Sequence, residues 1–210
     1  MTDDVRRRTR RARRTVTWIA FSAVSALIVV ITAHAQRSAT AVFAGGCFWS
    51  MEHVFDDLPG VVSVTVGYAG GSARQPTYEQ VEMGITGHAE SVQVVYDSDK
   101  IAYERLLDAY WHNIDPTDGA GQFCDHGTQY RPIIFYGDDA QQRAAQASKD
   151  ALVRSGRFAR VMPQIAALTT FWRAEDYHQH YYKTHAAAYR LYRVGCGRDA
   201  RLRQLWGGSN

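Results

Sequence analysis

The sequence predicts an α+β fold, a two-layer sandwich of a mixed, mostly antiparallel sheet with flanking helices. Three observations lead there. Runs with β-branched alternation interleave with runs of helical spacing, so both element types share one core. The connection from Tyr68 to Ala89 carries no crossover helix, which favours antiparallel pairing over a doubly wound parallel sheet. No repeat, low-complexity tract or linker interrupts residues 36–210, which read as one domain.

Taken in order, the first 35 residues stand apart. Arg6, Arg7, Arg8, Arg10, Arg11, Arg13 and Arg14 face only Asp3 and Asp4, and an apolar run over 18–31 ends near Ala33-His34-Ala35. A basic region, an apolar stretch and a small-x-small site make a signal peptide, with cleavage after Ala35. An uncleaved membrane anchor is the alternative, although the run falls short of the ~20 residues of a comfortable span. The rest of the chain is therefore expected to be exported to the periplasm, or held at the membrane facing it. The leader also carries the basic charge: the whole chain has a formal net charge of +3, and without residues 1–35 its 17 basic and 19 acidic side chains leave −2. A near-neutral domain lacks the clustered Lys and Arg of a nucleic-acid binder, so that partner is excluded. A monomer is expected.

Residues 42–44 read as a strand broken by Gly45 and Gly46, after which Phe48, Met51, Val54, Phe55 and Leu58 recur at helical spacing up to Pro59-Gly60. Residues 61–68 alternate and run into Gly70-Gly71, 73–88 form a loop, and 89–96 alternate again. Leu106, Leu107, Tyr110 and Trp111 mark a helix over 103–113, followed by a second long loop over 115–129. Beyond it come a strand over 131–136, an Ala-rich helix over 139–154, a strand over 164–170, a short helix over 176–182 and a tail bearing Cys196. Loops above ~12–15 residues inside a compact domain are usually functional or disordered. These two hold most of the polar chemistry.

Cys47, Cys124 and Cys196 are too few and too scattered for a disulfide scaffold, and they lack the CxxC spacing of a zinc or redox motif. No metal is expected, and an odd count leaves at least one thiol unpaired. Cys47 opens the predicted 48–58 helix, where unpaired N–H groups and the helix dipole favour a thiolate and hence a nucleophile. A buried core thiol is the alternative. Glu90 opens a strand of largely apolar character; a carboxyl facing an apolar pocket keeps its proton near neutrality and can donate it. The competing reading is a solvated strand-end glutamate. Tyr78 and Tyr130, one in each loop, offer phenol donors, though tyrosines more often serve as half-buried packing residues.

Six segments stand in an order and spacing that resemble a known family: Gly46-Cys47-Phe48-Trp49, Gly67-Tyr68-Ala69-Gly70-Gly71, Pro76-Thr77-Tyr78-Glu79, Gly87-His88-Ala89-Glu90, Asp125-His126-Gly127-Thr128-Gln129-Tyr130-Arg131 and Ala174-Glu175-Asp176-Tyr177-His178-Gln179. With them the chain resembles peptide methionine sulfoxide reductase A along nearly all of residues 36–210. The resemblance implies a ferredoxin-like sheet flanked by helices, no bound cofactor, and reduction of the S epimer of methionine sulfoxide, free or in proteins. It also implies Cys47 as nucleophile and Glu90 as acid, with Phe48, Trp49, Tyr78, Asp125 and Tyr130 around the substrate. Two departures stand out: Ser50 where glycine is frequent, and a single tail cysteine, Cys196, where some relatives carry two. No segment resembles the R-epimer-specific B family.

The residue types suit that chemistry. Phe48 and Trp49 supply an apolar wall for the substrate methyl, while Glu90, Tyr78 and Tyr130 protonate or polarise the sulfoxide oxygen as Cys47 attacks sulfur. Cys47 becomes a sulfenic acid, a second thiol condenses with it, and an external thioredoxin-like dithiol resets the enzyme. Cys196 is the expected resolving cysteine, because Gly195 and Gly197 would let a tail swing its sulfur toward Cys47. Cys124 is expected to be a packed thiol or a secondary relay. Two other classes compete. A cysteine hydrolase would draw a base from His53, His88, His126 or His178 and consume no dithiol, and an exported binding module would have no use for Cys47 and Glu90 together.

Overall fold

In the computed structural model, which describes residues 37–207, Ala41 and Phe43 of β1 (Ser38–Ala44) point to one face of a sheet and Val42 and Ala44 to the other. All four are buried, as the two-residue period of a strand covered on both faces requires. β1 pairs antiparallel with β3 (Ala89–Asp97) and with β6 (Ile133–Tyr136), and β3 pairs antiparallel with β2 (Val61–Ala69). α1 (Phe48–Asp56) links β1 to β2, and α3 (Tyr103–His112) lies between β3 and β6. The order β6-β1-β3-β2 is the ferredoxin-like split βαβ arrangement. β7 (Gln164–Ala167), reached through the crossover helix α4 (Asp139–Arg154), pairs parallel with β6, and β8 (Phe171–Arg173) closes the other edge antiparallel to β2. The expected mixed, mostly antiparallel α+β sheet is the observed one.

Helices cover one face. The Phe43 ring stacks on Phe55 of α1 at 5.0 Å and on Tyr110 of α3 at 5.4 Å, and the Tyr110 hydroxyl donates to the Ala44 carbonyl at 3.0 Å. Burying each such ring contributes about 2–3 kcal/mol, so this trio clamps both helices over the end of β1. The opposite face carries a smaller cluster of Val42, Ala44, Ala69, Ala89, Ile133 and Phe135, with Leu168 and Phe171 against it.

Five segments differ from the sequence reading. The first loop contains α2 (Tyr78–Glu82), opened by a reciprocal capping box between Thr77 and Gln80. The second holds the two-residue strands β4 (Gly121–Gln122) and β5 (Asp125–His126), turned through Phe123 at φ 59, and then a 3-10 turn over Thr128–Tyr130. The strand expected over 164–170 is β7 and ends at Ala167, and β8, just beyond the expected strand, lies on the opposite edge of the sheet. The short helix expected over 176–182 is broken at His180, whose left-handed φ of 52 separates a 3-10 turn from α5 (Tyr181–Thr184). Beyond it the expected tail is α6 (Ala186–Gly195) and α7 (Arg198–Trp206). The export signal read in residues 1–35 lies outside the described residues.

Candidate active site

β1 ends where antiparallel β3 begins, so the turn after β1 and the first residues of β3 meet at one end of the sheet. Gly46 makes that turn with a φ of +84, and a Cβ there would lie 2.6 Å from the Gln122 Cβ, which restricts the position to glycine. Cys47 follows as the N-cap of α1, only 6% exposed. Glu90 shares the helix-covered face of β3 with Val92 and Val94, and is 3% exposed beneath the start of α1. Its Oε2 accepts the Phe48 N–H at 2.9 Å, which uses one of the orphan donors of the helix start.

Two titrations are governed by burial. Desolvation pushes the Glu90 carboxyl up to about 8 against the opposing hydrogen bond from Phe48, so the acid is neutral at pH 7. This decides for the apolar-pocket reading of Glu90. The Cys47 thiol is also pushed well above its ordinary range, first by burial and then by the neighbouring Glu90 and Asp125 carboxyls, while hydrogen bonds from Tyr192 and from the Trp49 backbone oppose the rise. That corrects the expected resting thiolate. The N-terminus of α1 is present, but loss of water outweighs it, and Cys47 rests as a thiol.

The loops supply the rest of the wall. Burial, and next to it the neighbouring Glu90 carboxyl, push the Tyr78 and Tyr130 phenols up, so both stay protonated donors near Cys47. Arg131 ties the loops together, donating to the Thr128 carbonyl at 2.5 Å and the Gly87 carbonyl at 2.9 Å. Asp125 adds a second carboxyl near Cys47, and its own hydrogen bond comes from Tyr192. Phe48 is buried against Tyr68 at 6.0 Å and His178 at 5.0 Å, and half-buried Trp49 stacks on Tyr181 at 3.8 Å.

A family model described as peptide methionine sulfoxide reductase matches residues 39–210. The chain belongs to the peptide methionine sulfoxide reductase family. It is 47% identical over 174 residues to peptide methionine sulfoxide reductase MsrA of Bacillus licheniformis, a match covering 82% of this chain and 96% of that one. Among solved structures it is similar to methionine sulfoxide reductase A of Corynebacterium diphtheriae, with a TM-score of 0.65 and 32% identity over 71% of this chain and 76% of that one. It is also similar to Mxr1 from Saccharomyces cerevisiae in reduced form, with a TM-score of 0.67 and 30% identity over 71% and 86% of the two chains. The chain is thus an oxidoreductase that reduces methionine sulfoxide.

The reductase uses residues that sequence reasoning left without a role. Tyr192 of α6 donates its hydroxyl to Asp125 Oδ2 at 2.5 Å. Glu175 accepts the Tyr68 hydroxyl at 2.7 Å and the Tyr78 N–H at 2.9 Å, and His178 Nδ1 accepts the Trp49 indole N–H at 3.2 Å, so the matched segment 174–179 holds the pocket wall. Arg198 is 1% exposed, lies over the Phe123 ring at 4.4 Å and donates to the Asn113 carbonyl at 2.6 Å. The reductase joins the two cysteines read as resolving thiol and packed or relay thiol. Cys47 is free, and Cys124 and Cys196 form a disulfide with Cα atoms 5.0 Å apart. Cys124 is exposed, not packed, and Cys196 is the C-cap of α6, not part of a tail. The pairing leaves the relay role for Cys124 and removes the packing one.

Proposed function

We propose that this reductase converts the S epimer of methionine sulfoxide to methionine through Cys47, and passes the oxidation outward through Cys196 to Cys124. One observation carries the reading: a free Cys47 lies beside a neutral Glu90 while the other two cysteines are already joined. The S epimer and the free or protein-bound substrate rest on the likeness to A-type relatives. Phe48 and Trp49 take the substrate methyl; Glu90, Tyr78 and Tyr130 donate to the oxygen. The Cys47 sulfur attacks the sulfoxide sulfur, the oxygen gains a proton from Glu90 and transfers to Cys47, and the thiol proton returns to Glu90. Methionine leaves and Cys47 is a sulfenic acid, a two-electron exchange with no net proton change. Tyr192 and Asp125 orient the thiol from the other side.

The Cys196 thiol then displaces water to form Cys47–Cys196, and Cys124 thiolate attacks the Cys196 sulfur, releasing Cys47 as a thiol. The product is the pairing seen here, with the oxidation now on an exposed residue. An external thioredoxin-like dithiol takes it up, and no bound cofactor enters the cycle. The substrates we assign are oxidised exported proteins and free methionine sulfoxide, in the periplasm after cleavage at Ala35, with the protein acting as a monomer. Intact mass of the exported protein beginning at Gln36 tests the location.

The chemistry is tested by counting. Fully reduced protein, freed of reductant and given excess methionine sulfoxide, is expected to release two methionines per chain: one as the Cys124–Cys196 bond forms, a second as Cys47 stops at sulfenic acid. Cys124→Ser is expected to release one and stop at Cys47–Cys196. Cys47→Ser is expected to release none while melting like wild type, and methionine from it at a comparable rate would remove Cys47 from the mechanism.

A further inference from the structure

We propose that the reduced protein binds Zn²⁺ through Cys124, Asp125 and Cys196, and that the metal, by holding both outer sulfurs, stops the relay. One ligand atom from each of these residues lies within 4.8 Å of the other two. The cysteines stand 72 residues apart, so no spacing in the sequence marks the site; it forms where the start of β5 meets the end of α6. Once the bond between them is reduced, the site offers two thiolates and a carboxylate. That set suits zinc, whose sites with an exchangeable position use three protein ligands, and disfavours Mg²⁺ and Ca²⁺, which take oxygen. Two thiolates and a carboxylate also bring three negative charges together. Zn²⁺ offsets two of them, and the Arg198 charge acts on Asp125 to offset the third.

The distances and hydrogen bonds already resemble a metal site. A tetrahedral ion with bonds of about 2.3 Å to sulfur and about 2.0 Å to oxygen sets those two atoms about 3.5 Å apart, and Cys124 Sγ lies 3.7 Å from Asp125 Oδ1. The other carboxyl oxygen, Oδ2, accepts the Tyr192 hydroxyl, so Oδ1 is left to the sulfurs by the kind of outer hydrogen bond that orients metal ligands. The Cys124 N–H donates to Cys196 Sγ at 3.1 Å and stabilises negative charge there. Cys124 is exposed, with Asp125 and Cys196 half-buried, so the ion enters from solvent and keeps its fourth position there. Cys47 takes no part, because burial keeps it a thiol. Each outer thiol gives up its proton as its sulfur bonds zinc, so one Zn²⁺ releases two protons and no electron moves. With both outer sulfurs held, Cys47 reduces one sulfoxide and then waits as a sulfenic acid. The metal thus acts off the catalytic cycle, and a chelator reverses it. Binding itself depends only on the three ligands; the block rests on the relay described above.

The experiment titrates fully reduced protein, freed of reductant without air, with Zn²⁺ in competition with a chromogenic chelator. One ion per chain is expected for wild type and for Cys47→Ser, and none for Cys124→Ser, Cys196→Ser or the oxidised wild type. Tyr192→Phe is expected to weaken binding about tenfold, and Asp125→Asn more than that. No zinc on reduced wild type, zinc that persists in either outer serine variant, zinc lost in Cys47→Ser, or affinity unchanged in Asp125→Asn overturns the site. Given one equivalent of Zn²⁺ before excess methionine sulfoxide, wild type is expected to release one methionine per chain where metal-free protein releases two, and EDTA restores the second. Two methionines from zinc-loaded protein overturn the block. One methionine from metal-free wild type instead defeats the relay reading and with it the block, while the titration still decides the metal site.

Discussion

Glu90 holds a proton at neutral pH because its site is dry, and that single fact fixes two measurable signs. The rate of the first turnover should fall as pH rises through about 8, where Glu90 loses the proton it donates. Glu90→Gln should lower that rate by roughly 10²-fold and flatten the profile. Stability moves in the same direction: the folded pKa is above the ordinary value of 4.5, so between the two the folded state binds a proton that the unfolded state has lost. Folding is therefore penalised progressively from about pH 4.5 to about 8. Glu90→Gln removes the penalty, and urea midpoints should show the variant gaining on wild type at pH 9 but not at pH 4.

At the level of elements, the wall of the pocket hangs on one side chain that completes a strand. The Gln179 amide oxygen accepts the Val66 N–H at 3.1 Å, and its nitrogen donates to the Val66 and Ala174 carbonyls at 3.1 and 2.9 Å. It extends the pairing of β8 with β2 past Gly67 and fixes the segment that carries Glu175 and His178. Gln179→Ala should cost about 1–3 kcal/mol by leaving the Val66 N–H unpaired, seen as a lower urea midpoint and faster amide exchange at Val66. Elements with long periods were the ones legible beforehand: β2, β3, α1, α3 and α4 each repeat their apolar spacing over several turns or pleats. β8 has three residues and no period to read. α7 buries only Arg198 and Leu202, so its pattern is nearly all polar, and α6 hides its inward face behind tyrosines. α2 was legible, since Thr77 and Gln80 stand at capping-box spacing, and that signal went unused. Cys47, Glu90 and the loop tyrosines could be found because dense local motifs carry them. Tyr192 and Arg198 could not, since their roles arise only when the C-terminal helices return to the start of α1.

Across the whole molecule, those helices are fastened to the end of α3 and the start of the second loop. Arg201 Nε donates to Asp115 Oδ2 at 2.8 Å, the Trp206 indole donates to the Ile114 carbonyl at 3.3 Å, and Arg198 reaches Asn113. The Cys124–Cys196 bond adds a covalent clasp across 72 residues of chain. Closing a loop of that length restricts the unfolded chain by about 4 kcal/mol, a shift on the order of 10 °C in melting for a domain of this size. Melts of Cys47→Ser, oxidised and then reduced, should show that difference, and equal temperatures would show that the clasp adds nothing. In the relay proposed here the clasp is open in the copies ready to work and shut in those that have just worked. Survival against heat or a protease is then tied to workload: when reductant runs short, spent enzyme accumulates in its most durable form, a reserve that one dithiol encounter returns to service.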